Sequence, residues 1–418
     1  MDSSRFKNLV NYHKTEFILT GLAQIVYMSQ SLVQNKLFAV YFDTDGFGLW
    51  SLLVSVYSLI SMLPFSATDQ GVQRIAPGFK KDGREKSLYS MLLLTYAVFF
   101  SVYMCLGVGY HFFFSDNVSI SVTLFLLYAF SEVLKNAYIS IDNVYRNRKR
   151  VLYVRLIDFG SRFVFFLLLG FLHHFTINNV LIILVVTNIA VLLLLKEFWT
   201  LLELKIDKDL FKGFLKNVFR FAMPLMTWAI FSWMYNMIGR WYLDALVDKT
   251  GVAMYSMLMS ISFFIPNAFY TIVATYIMPI VYSKEENLGK KRLGALLLLV
   301  FGVLLIYQLF ICFLGKYLIL ILADSKYLPI TGYLPYTTLS SIIYVVGMLS
   351  TVEVYRQGKT SKLLIPSIAP GIFMATAGYF LIKGFGLQGA IINHVAGQLI
   401  YCLLVAPVSY KSVNKAAI

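Results

Sequence analysis

The sequence predicts an all-α integral membrane protein with about twelve transmembrane helices. The chain has 418 residues, of which 59% are hydrophobic and only 14% charged, and its mean hydropathy is +0.72. Apolar stretches long enough to cross a bilayer recur along its whole length. They are uniformly apolar instead of alternating, which fits helices that satisfy their own backbone hydrogen bonds in lipid better than barrel strands.

Each span is an apolar run that is bounded by polar or charged residues. In chain order, we predict spans at 17–42, 46–68, 88–111, 119–142, 156–173, 178–198, 221–244, 252–281, 293–315, 331–352, 363–383 and 387–408.

Charge predicts the orientation. If the N-terminus is cytoplasmic, the inside segments carry roughly seven times as many Lys and Arg residues as the outside segments. The outside segments then hold Lys249, Lys316, Lys326 and Lys383. We therefore predict that both termini are cytoplasmic, and that the net charge of +15 reflects loops facing anionic lipid and not a nucleic-acid partner.

Internal matches predict two halves. "GFGLWSLL" from Gly46 matches "GVAMYSML" from Gly251, an interval of about 205 residues, and Val144-Tyr145-Arg146 returns about 210 residues later at Val354. Six spans per half is an even number, so the repeat is parallel, with a pseudo-two-fold axis along the membrane normal and a central cavity between the halves. We predict lobes at 1–198 and 221–418.

The predicted connector, 199–220, is amphipathic. Basic residues recur every four positions between apolar ones, namely Lys208, Lys212, Lys216 and Arg220. Such a segment is expected near the phosphates of the inner leaflet. It is either a solvated charged face or a strap between two moving halves.

Several chemistries are not indicated. Cys105, Cys312 and Cys402 lie in apolar runs, and the histidines are scattered, so we predict neither a metal site nor a disulfide. There is no phosphate-binding glycine loop of the ATPase type. We predict no cofactor, no catalytic residues and no enzymatic activity.

Two cations occupy corresponding places in the halves. Lys36 precedes Gly46 by about ten residues, and Arg240 precedes Gly251 by about eleven. If the halves face a cavity, the two side chains converge on it and bind an anionic substrate group. The alternative is that Arg240, close to Asp244, extends to the outer headgroups.

Other charges fall nearer the cytoplasm. Glu132 and Lys135 are three residues apart, and Asp158 and Arg162 four apart, so each pair can neutralise itself on one helix face. Because charges are expensive in a membrane, the acids are candidates for ion coupling and the bases for substrate binding, unless the pairs are only structural. Arg74 is a further anion-binding candidate, or an ordinary cytoplasmic charge.

Three stretches resemble one family. "GFGLWSLL" opens the second span, "TDQGVQRIAP" closes it, and "VYRQGKTSK" separates the tenth from the eleventh. With the topology, they resemble the Wzx-type O-antigen flippases, in the oligosaccharide-flippase branch of the multidrug/oligosaccharidyl-lipid/polysaccharide superfamily. The resemblance covers essentially the whole chain.

The resemblance implies a function in the bacterial inner membrane. The substrate would be an undecaprenyl-diphosphate-linked oligosaccharide, moved from the cytoplasmic to the periplasmic leaflet by alternating access. Membrane lipids, a polysaccharide polymerase and a chain-length regulator would be partners. The resemblance also implies roles for Asp69, as an ion-coupling acid, and for Arg74.

Two other functions compete with this hypothesis. A cation-coupled small-molecule or drug antiporter of the related branch would share the two-half architecture and need only a few acidic coupling sites. A membrane-embedded polymerase or ligase would need a long outer loop with catalytic groups, whereas the predicted outer loops are short.

Overall fold

The prediction of an all-α membrane fold is confirmed. The computed structural model describes residues 3–114, 121–195, 206–282, 290–352, 354 and 360–415, and these form helices joined by short turns, with no strand among them. The α-helices of the first predicted half are α1 Ser3–Tyr41, α2 Thr44–Ile60, α3 Ala67–Lys81, α4 Glu85–Phe114, α5 Val122–Val144, α6 Arg148–Phe171 and α7 Ile177–Leu194. Those of the second are α8 Lys208–Leu246, α9 Lys249–Tyr282, α10 Lys290–Leu322, α11 Leu334–Ser350 and α12 Leu364–Lys415.

Within the described ranges, seven helical segments are long and apolar enough to cross a bilayer. They are Thr44–Lys81, Glu85–Gly107, Val122–Val144, Ile177–Leu194, Lys249–Thr271, Leu297–Leu322 and Ser361–Ser412. The last holds two predicted spans, 363–383 and 387–408. The helix reverses at Gly386, where φ is +55°, a left-handed conformation that glycine adopts without steric cost. Beyond the turn, Asn393 Nδ2 donates to the Met374 carbonyl 3.1 Å away, so the two arms pack side by side.

Local sequence sets the helix ends. Ser121 precedes α5 and accepts a hydrogen bond from the Leu124 amide at 3.2 Å, and Thr176 caps α7 in the same way. Between α2 and α3, a six-residue π-helical segment, Ser61–Ser66, contains Pro64, and Leu63 has extended backbone angles there. Proline removes a backbone donor, so the second predicted span is bent at this point.

The chain forms two compact units. Unit 1 comprises 1–37 and 57–227, and unit 2 comprises 38–56 and 228–418. Their boundaries fall inside α1, α2 and α8, because each of these helices contributes residues to both units. The division into 1–198, 199–220 and 221–418 follows the sequence repeat and stays a prediction. Residues 199–205 of the connector lie outside the described residues.

Each unit has one central helix. In unit 1, α5 packs against α3, α4, α6 and α7. In unit 2, α11 packs against α9, α10 and α12. These are the fourth and tenth predicted spans, so they hold corresponding places in the repeat.

Within unit 2, one serine of α2 accepts hydrogen bonds from two tryptophans of α8. Ser55 is buried, and its carbonyl oxygen accepts from Trp233 Nε1 at 2.8 Å. Its hydroxyl oxygen accepts from Trp241 Nε1 at 2.9 Å. The N–H of each indole, which is its only hydrogen-bond donor, thus has an acceptor in the apolar interior.

Candidate functional site

Unit 1 contains a buried cluster of four charged side chains. Helical spacing places Glu132 and Lys135 on one face of α5. It likewise places Asp158 and Arg162 on one face of α6. Both predicted pairs form within their helices: Lys135 Nζ lies 3.1 Å from Glu132 Oε1, and Arg162 Nε lies 2.9 Å from Asp158 Oδ1. The four residues therefore begin as two neutral pairs on adjacent helices.

The pairs also join across the two helices. Lys135 Nζ lies 2.7 Å from Asp158 Oδ2, and Arg162 Nη2 lies 2.5 Å from Glu132 Oε2. Each acid thus meets both bases, and each base meets both acids. We call these four side chains the charge cluster.

Two neutral amides complete the charge cluster. Asn188 on α7 is fully buried, and its Oδ1 accepts from Lys135 Nζ at 2.8 Å and from Arg162 Nη2 at 2.6 Å. Gln30 on α1 donates through Nε2 to Asp158 Oδ2 at 3.0 Å. Sequence reasoning missed both residues, since an isolated Asn or Gln in an apolar run carries no charge signal.

The charge cluster has zero net charge and little exposure. The side chains of Lys135 and Asp158 are 0% and 1% exposed, that of Arg162 is 7% exposed, and that of Glu132 is the most accessible at 12%. Desolvating such ions costs several kcal/mol each, which their mutual attraction offsets only when every partner is present. Solvent reaches the cluster chiefly at Glu132.

Arg240 in unit 2 has a different environment. Its Nε donates to Ser256 Oγ on α9 at 2.9 Å, and its Nη1 donates to the Asn236 carbonyl at 3.1 Å and contacts Met237 Sδ at 2.6 Å. The guanidinium therefore points back toward the start of α8, as helical side chains do.

Arg240 has no carboxylate partner within the described part of the chain. Asp244 stands four residues later, at the usual spacing for an ion pair, yet no such pair forms. The side chain turns away from the C-terminal end of α8, which is the end that would face the outer headgroups in the predicted orientation. Among the described residues, no carboxylate neutralises the guanidinium and its Nη2 has no hydrogen-bond partner.

Polar and aromatic side chains lie near Arg240 in unit 2. The His394 ring is 6.3 Å from the Tyr235 ring and 5.5 Å from the Phe263 ring, and its Nε2 lies 2.9 Å from Gln398 Nε2. His394 Nδ1, Gln398 Oε1 and the Tyr235 hydroxyl are buried without a hydrogen-bond partner among the described residues. Sequence reasoning treated His394 only as one of several scattered histidines.

The remaining predicted site residues lie elsewhere. Asp69 accepts a hydrogen bond from the Tyr96 hydroxyl inside unit 1, and Arg74 lies on the exposed face of α3, with its Cζ 5.4 Å from the centre of the Phe221 ring. Lys36 is half-buried in unit 1, whereas Arg240 belongs to unit 2. The convergence of Lys36 with Arg240 therefore stays a prediction.

The described residues include no group of three or more His, Cys, Asp and Glu side chains placed to hold a metal ion. Charged groups that the sequence set apart thus form two distinct candidate sites. One is the charge cluster in unit 1. The other is Arg240 and its polar neighbours in unit 2.

Comparison with known proteins identifies the fold. No protein-family model matches the sequence, and no curated protein matches it either. Solved structures do match over nearly the whole chain. A variant of the Vibrio cholerae MATE transporter VcmN is 13% identical, with a TM-score of 0.66, covering 98% of this chain and 97% of that one.

Two further structures agree. The outward-facing form of a multidrug-resistance MATE transporter of the MOP superfamily is 15% identical, with a TM-score of 0.64, covering 96% of this chain and 94% of that one. A MOP superfamily transporter from Pyrococcus furiosus is 14% identical, with a TM-score of 0.61, covering 95% and 94%. Its binding pocket is described as having reverse polarity, which suggests a different function for that protein.

These matches correct the predicted function. The prediction of a Wzx-type flippase for undecaprenyl-diphosphate-linked oligosaccharide is wrong, because the matching structures are MATE transporters and include multidrug transporters. With sequence identities of 13–15%, what they show is that this chain has the MATE transporter fold.

Proposed function

We propose that this protein is a cation-coupled small-molecule antiporter. In this proposal the charge cluster in unit 1 binds the coupling ion, and Arg240 in unit 2 binds an anionic group of the substrate. The matching structures support a transporter, and the two sites described above supply the chemistry.

One observation carries the proposal: in the predicted repeat, charged residues of α5 correspond to aliphatic residues of α11. Matching the Val-Tyr-Arg triplets near the ends of these helices aligns Glu132 with Ile342 and Lys135 with Val345. Ile342 and Val345 belong to an apolar core in unit 2. This correspondence supports a role for the charges of α5 beyond folding, because buried charges are costly where aliphatic residues suffice.

The arrangement favours a proton as the coupling ion. Lys135 and Arg162 already occupy the carboxylate oxygens, and their positive charges would repel a metal cation. A proton instead bonds directly to a carboxylate oxygen. Lys135 and Arg162 favour the ionised form of Glu132 while the pairs are closed. Glu132 is the most accessible acid of the charge cluster, so we infer that it takes the proton when its ion pairs open.

Protonation of Glu132 would unbalance the charge cluster. The ion pair with Arg162 would weaken, and the cluster would carry one surplus positive charge in a low-dielectric interior. Asp158 would then be shared by two cations and by Gln30 of α1. Since α1 contributes residues to both units, a change at Gln30 is a route from proton binding to helix movement.

In this proposal Arg240 binds the substrate, whereas the charge cluster binds the coupling ion. A half-buried guanidinium without a carboxylate is stabilised by any anion that brings bidentate oxygen acceptors. Lys36 stays a proposed second cation on the substrate path. In this proposal Lys135 and Arg162 hold the coupling acids and do not bind the substrate, and Asp69 stays a second proposed coupling acid.

The membrane orientation is part of the proposal. The distribution of Lys and Arg supports a cytoplasmic-membrane location with both termini inside. Fluorescent reporters that fold only in the cytoplasm, fused after Ile418, should be active. An inactive C-terminal fusion of a chain that inserts normally would contradict this orientation.

Proteoliposomes with an imposed pH gradient test the function. Adding fluorescein as an anionic probe, or ethidium as a cationic one, should release protons from the wild-type vesicles when the probe is a substrate. Glu132→Gln should abolish this proton flux. Asp82→Asn is the matched control, since it removes one carboxylate at an exposed position after α3. Proton flux that persists in Glu132→Gln, or fails equally in both variants, would contradict the proposal.

A further inference from the structure

The basic ends of α3 and α8 enclose a hollow on the surface of unit 1. Its volume is about 630 Å³, and it is lined by Gly71, Arg74, Ile75, Asn217, Arg220 and Phe221. Gly71 lets the helices approach closely, because a Cβ there would lie 3.0 Å from Val218 Cγ1. The hollow is thus a fixed part of helix packing.

The lining offers hydrogen-bond donors and positive charge. Arg74, Asn217 and Arg220 are exposed, and within the described residues neither arginine forms an ion pair. The Arg74 guanidinium stays over the Phe221 ring, 5.4 Å from its centre, which limits its rotamers. Two guanidiniums and an amide facing one space match the acceptor oxygens of a phosphate group.

An adjoining hollow contains the carboxylates of this region. Its volume is about 480 Å³, it shares Arg74 and Asn217 with the first hollow, and its lining also contains Asp82, Asp209 and Arg84. Among the described residues, the lining of the hollow with Arg220 contains no acidic side chain. The two linings together hold three arginines and two aspartates, so the surplus positive charge lies on the side of Arg220.

The position of the hollow along α8 marks a membrane boundary. Lys208, Lys212 and Lys216 precede it on the helix, whereas Met223, one turn after Arg220, is 60% exposed and apolar. α8 has 39 residues and is about 58 Å long, well beyond the hydrocarbon thickness of a bilayer. The exposed surface changes from basic to apolar at Arg220, which is where lipid phosphates lie.

We propose that this hollow binds the phosphate of an anionic phospholipid headgroup, with Arg74 and Arg220 as its ligands and Asn217 as an additional donor. The lipid chains lie along the apolar surface that begins beyond Arg220. This site differs from the proposed transport sites, and its existence does not depend on the antiporter function. It gives Arg74 a lipid role instead of the substrate role predicted from sequence.

The test uses the purified full-length chain in a nonionic detergent and counts bound lipids by native mass spectrometry. The probes are dioctanoyl phosphatidylglycerol, zwitterionic dioctanoyl phosphatidylcholine and inorganic phosphate. The wild type should bind phosphatidylglycerol in preference to both others. Arg74→Gln with Arg220→Gln should bind it about tenfold more weakly, since two charge-assisted contacts are lost.

A matched control distinguishes binding in this hollow from the general electrostatic attraction of an anionic lipid to a basic protein surface. Lys212→Gln with Lys216→Gln removes the same charge from exposed positions on the same helix outside the hollow and should bind like the wild type. Asn217→Asp adds a negative charge within the hollow and should weaken binding without removing an arginine. An equal loss in the control, or wild-type binding in Asn217→Asp and in the double arginine variant, would overturn the proposal. Phosphate that binds as tightly as phosphatidylglycerol would overturn the assignment to lipid.

Discussion

Unit 1 buries four charges that neutralise one another, whereas unit 2 holds one half-buried guanidinium without a carboxylate among the described residues. The charge cluster is closed, because every charged group in it already has two opposite partners. Arg240 instead has spare hydrogen-bonding capacity. The difference teaches that the two units present different chemistry, and it fits the proposed division of roles: a proton in unit 1 and an anionic group in unit 2.

The largest effect should come from breaking the charge cluster. Lys135→Val leaves two buried carboxylates with one base, and we expect a loss of about 3–5 kcal/mol in the free energy of unfolding. Arg240→Met is the matched change in unit 2. It leaves no carboxylate unpaired, so its loss should be below about 1 kcal/mol. Unfolding midpoints in the same detergent measure both; equal losses would mean that the two sites do not differ as described.

Replacing each of two buried asparagines should show how much more a hydrogen bond to a charged group contributes to stability than one to a neutral group. Asn188 and Asn393 are both fully buried and lie about 205 residues apart, the interval of the repeat. Asn188→Ala removes the acceptor of two cations and should cost about 2–3 kcal/mol, whereas Asn393→Ala removes one bond to a carbonyl and should cost about 1 kcal/mol. A larger loss for Asn393→Ala in denaturation curves would reverse this ranking.

Replacing Glu132 and Lys135 of unit 1 with the corresponding aliphatic residues of unit 2 should give a stable protein that lacks proton-coupled transport. The double variant Glu132→Ile, Lys135→Val removes one acid and one base and leaves Asp158 paired with Arg162. We expect its unfolding free energy within about 1 kcal/mol of the wild type, since buried ion pairs replaced by apolar residues are often neutral. Proton-coupled transport in proteoliposomes should be lost. Retained coupling would show that the cluster is only structural.

The smallest effect should come from Ser256→Ala. This change removes the acceptor of Arg240 Nε, a single bond worth about 1 kcal/mol, and leaves the charge in place. Affinity for an anionic probe should therefore change by less than about tenfold, whereas Arg240→Ala should abolish binding and Arg240→Lys should retain part of it. Binding that survives in Arg240→Ala would remove the guanidinium from the substrate site.

The sequence predicted the helices well because their apolar runs are long. It even separated the last two spans near Gly386, where the structure turns. It also predicted the two pairs within α5 and α6, since spacing along one helix fixes them. It could not predict that Lys135 meets Asp158, because helix packing brings these residues together, nor that neutral Asn188 and Gln30 complete the cluster.

The error in function has a similar physical cause. Transporters of one superfamily share a fold, and the branch depends on the chemistry of a few side chains whose neighbours a sequence does not reveal. From the sequence, five cations are candidates for substrate binding, namely Lys36, Arg74, Lys135, Arg162 and Arg240. The structure shows that Lys135 and Arg162 are engaged by acids, that Arg74 lies in a surface hollow, and that Arg240 has its own polar surroundings.

The hydrogen bonds from Trp233 and Trp241 to Ser55 have a consequence for the intrinsic fluorescence of the protein. Trp50, Trp228, Trp233 and Trp241 all belong to unit 2, and the fifth tryptophan, Trp199, lies outside the described residues. Trp233 and Trp241 both donate to Ser55, and indole emission is sensitive to hydrogen bonding and polarity. Intrinsic fluorescence of the unlabelled chain therefore reports chiefly on the half that contains Arg240. A spectral change on adding an anion, absent in Arg240→Ala, would reveal ligand binding without any dye.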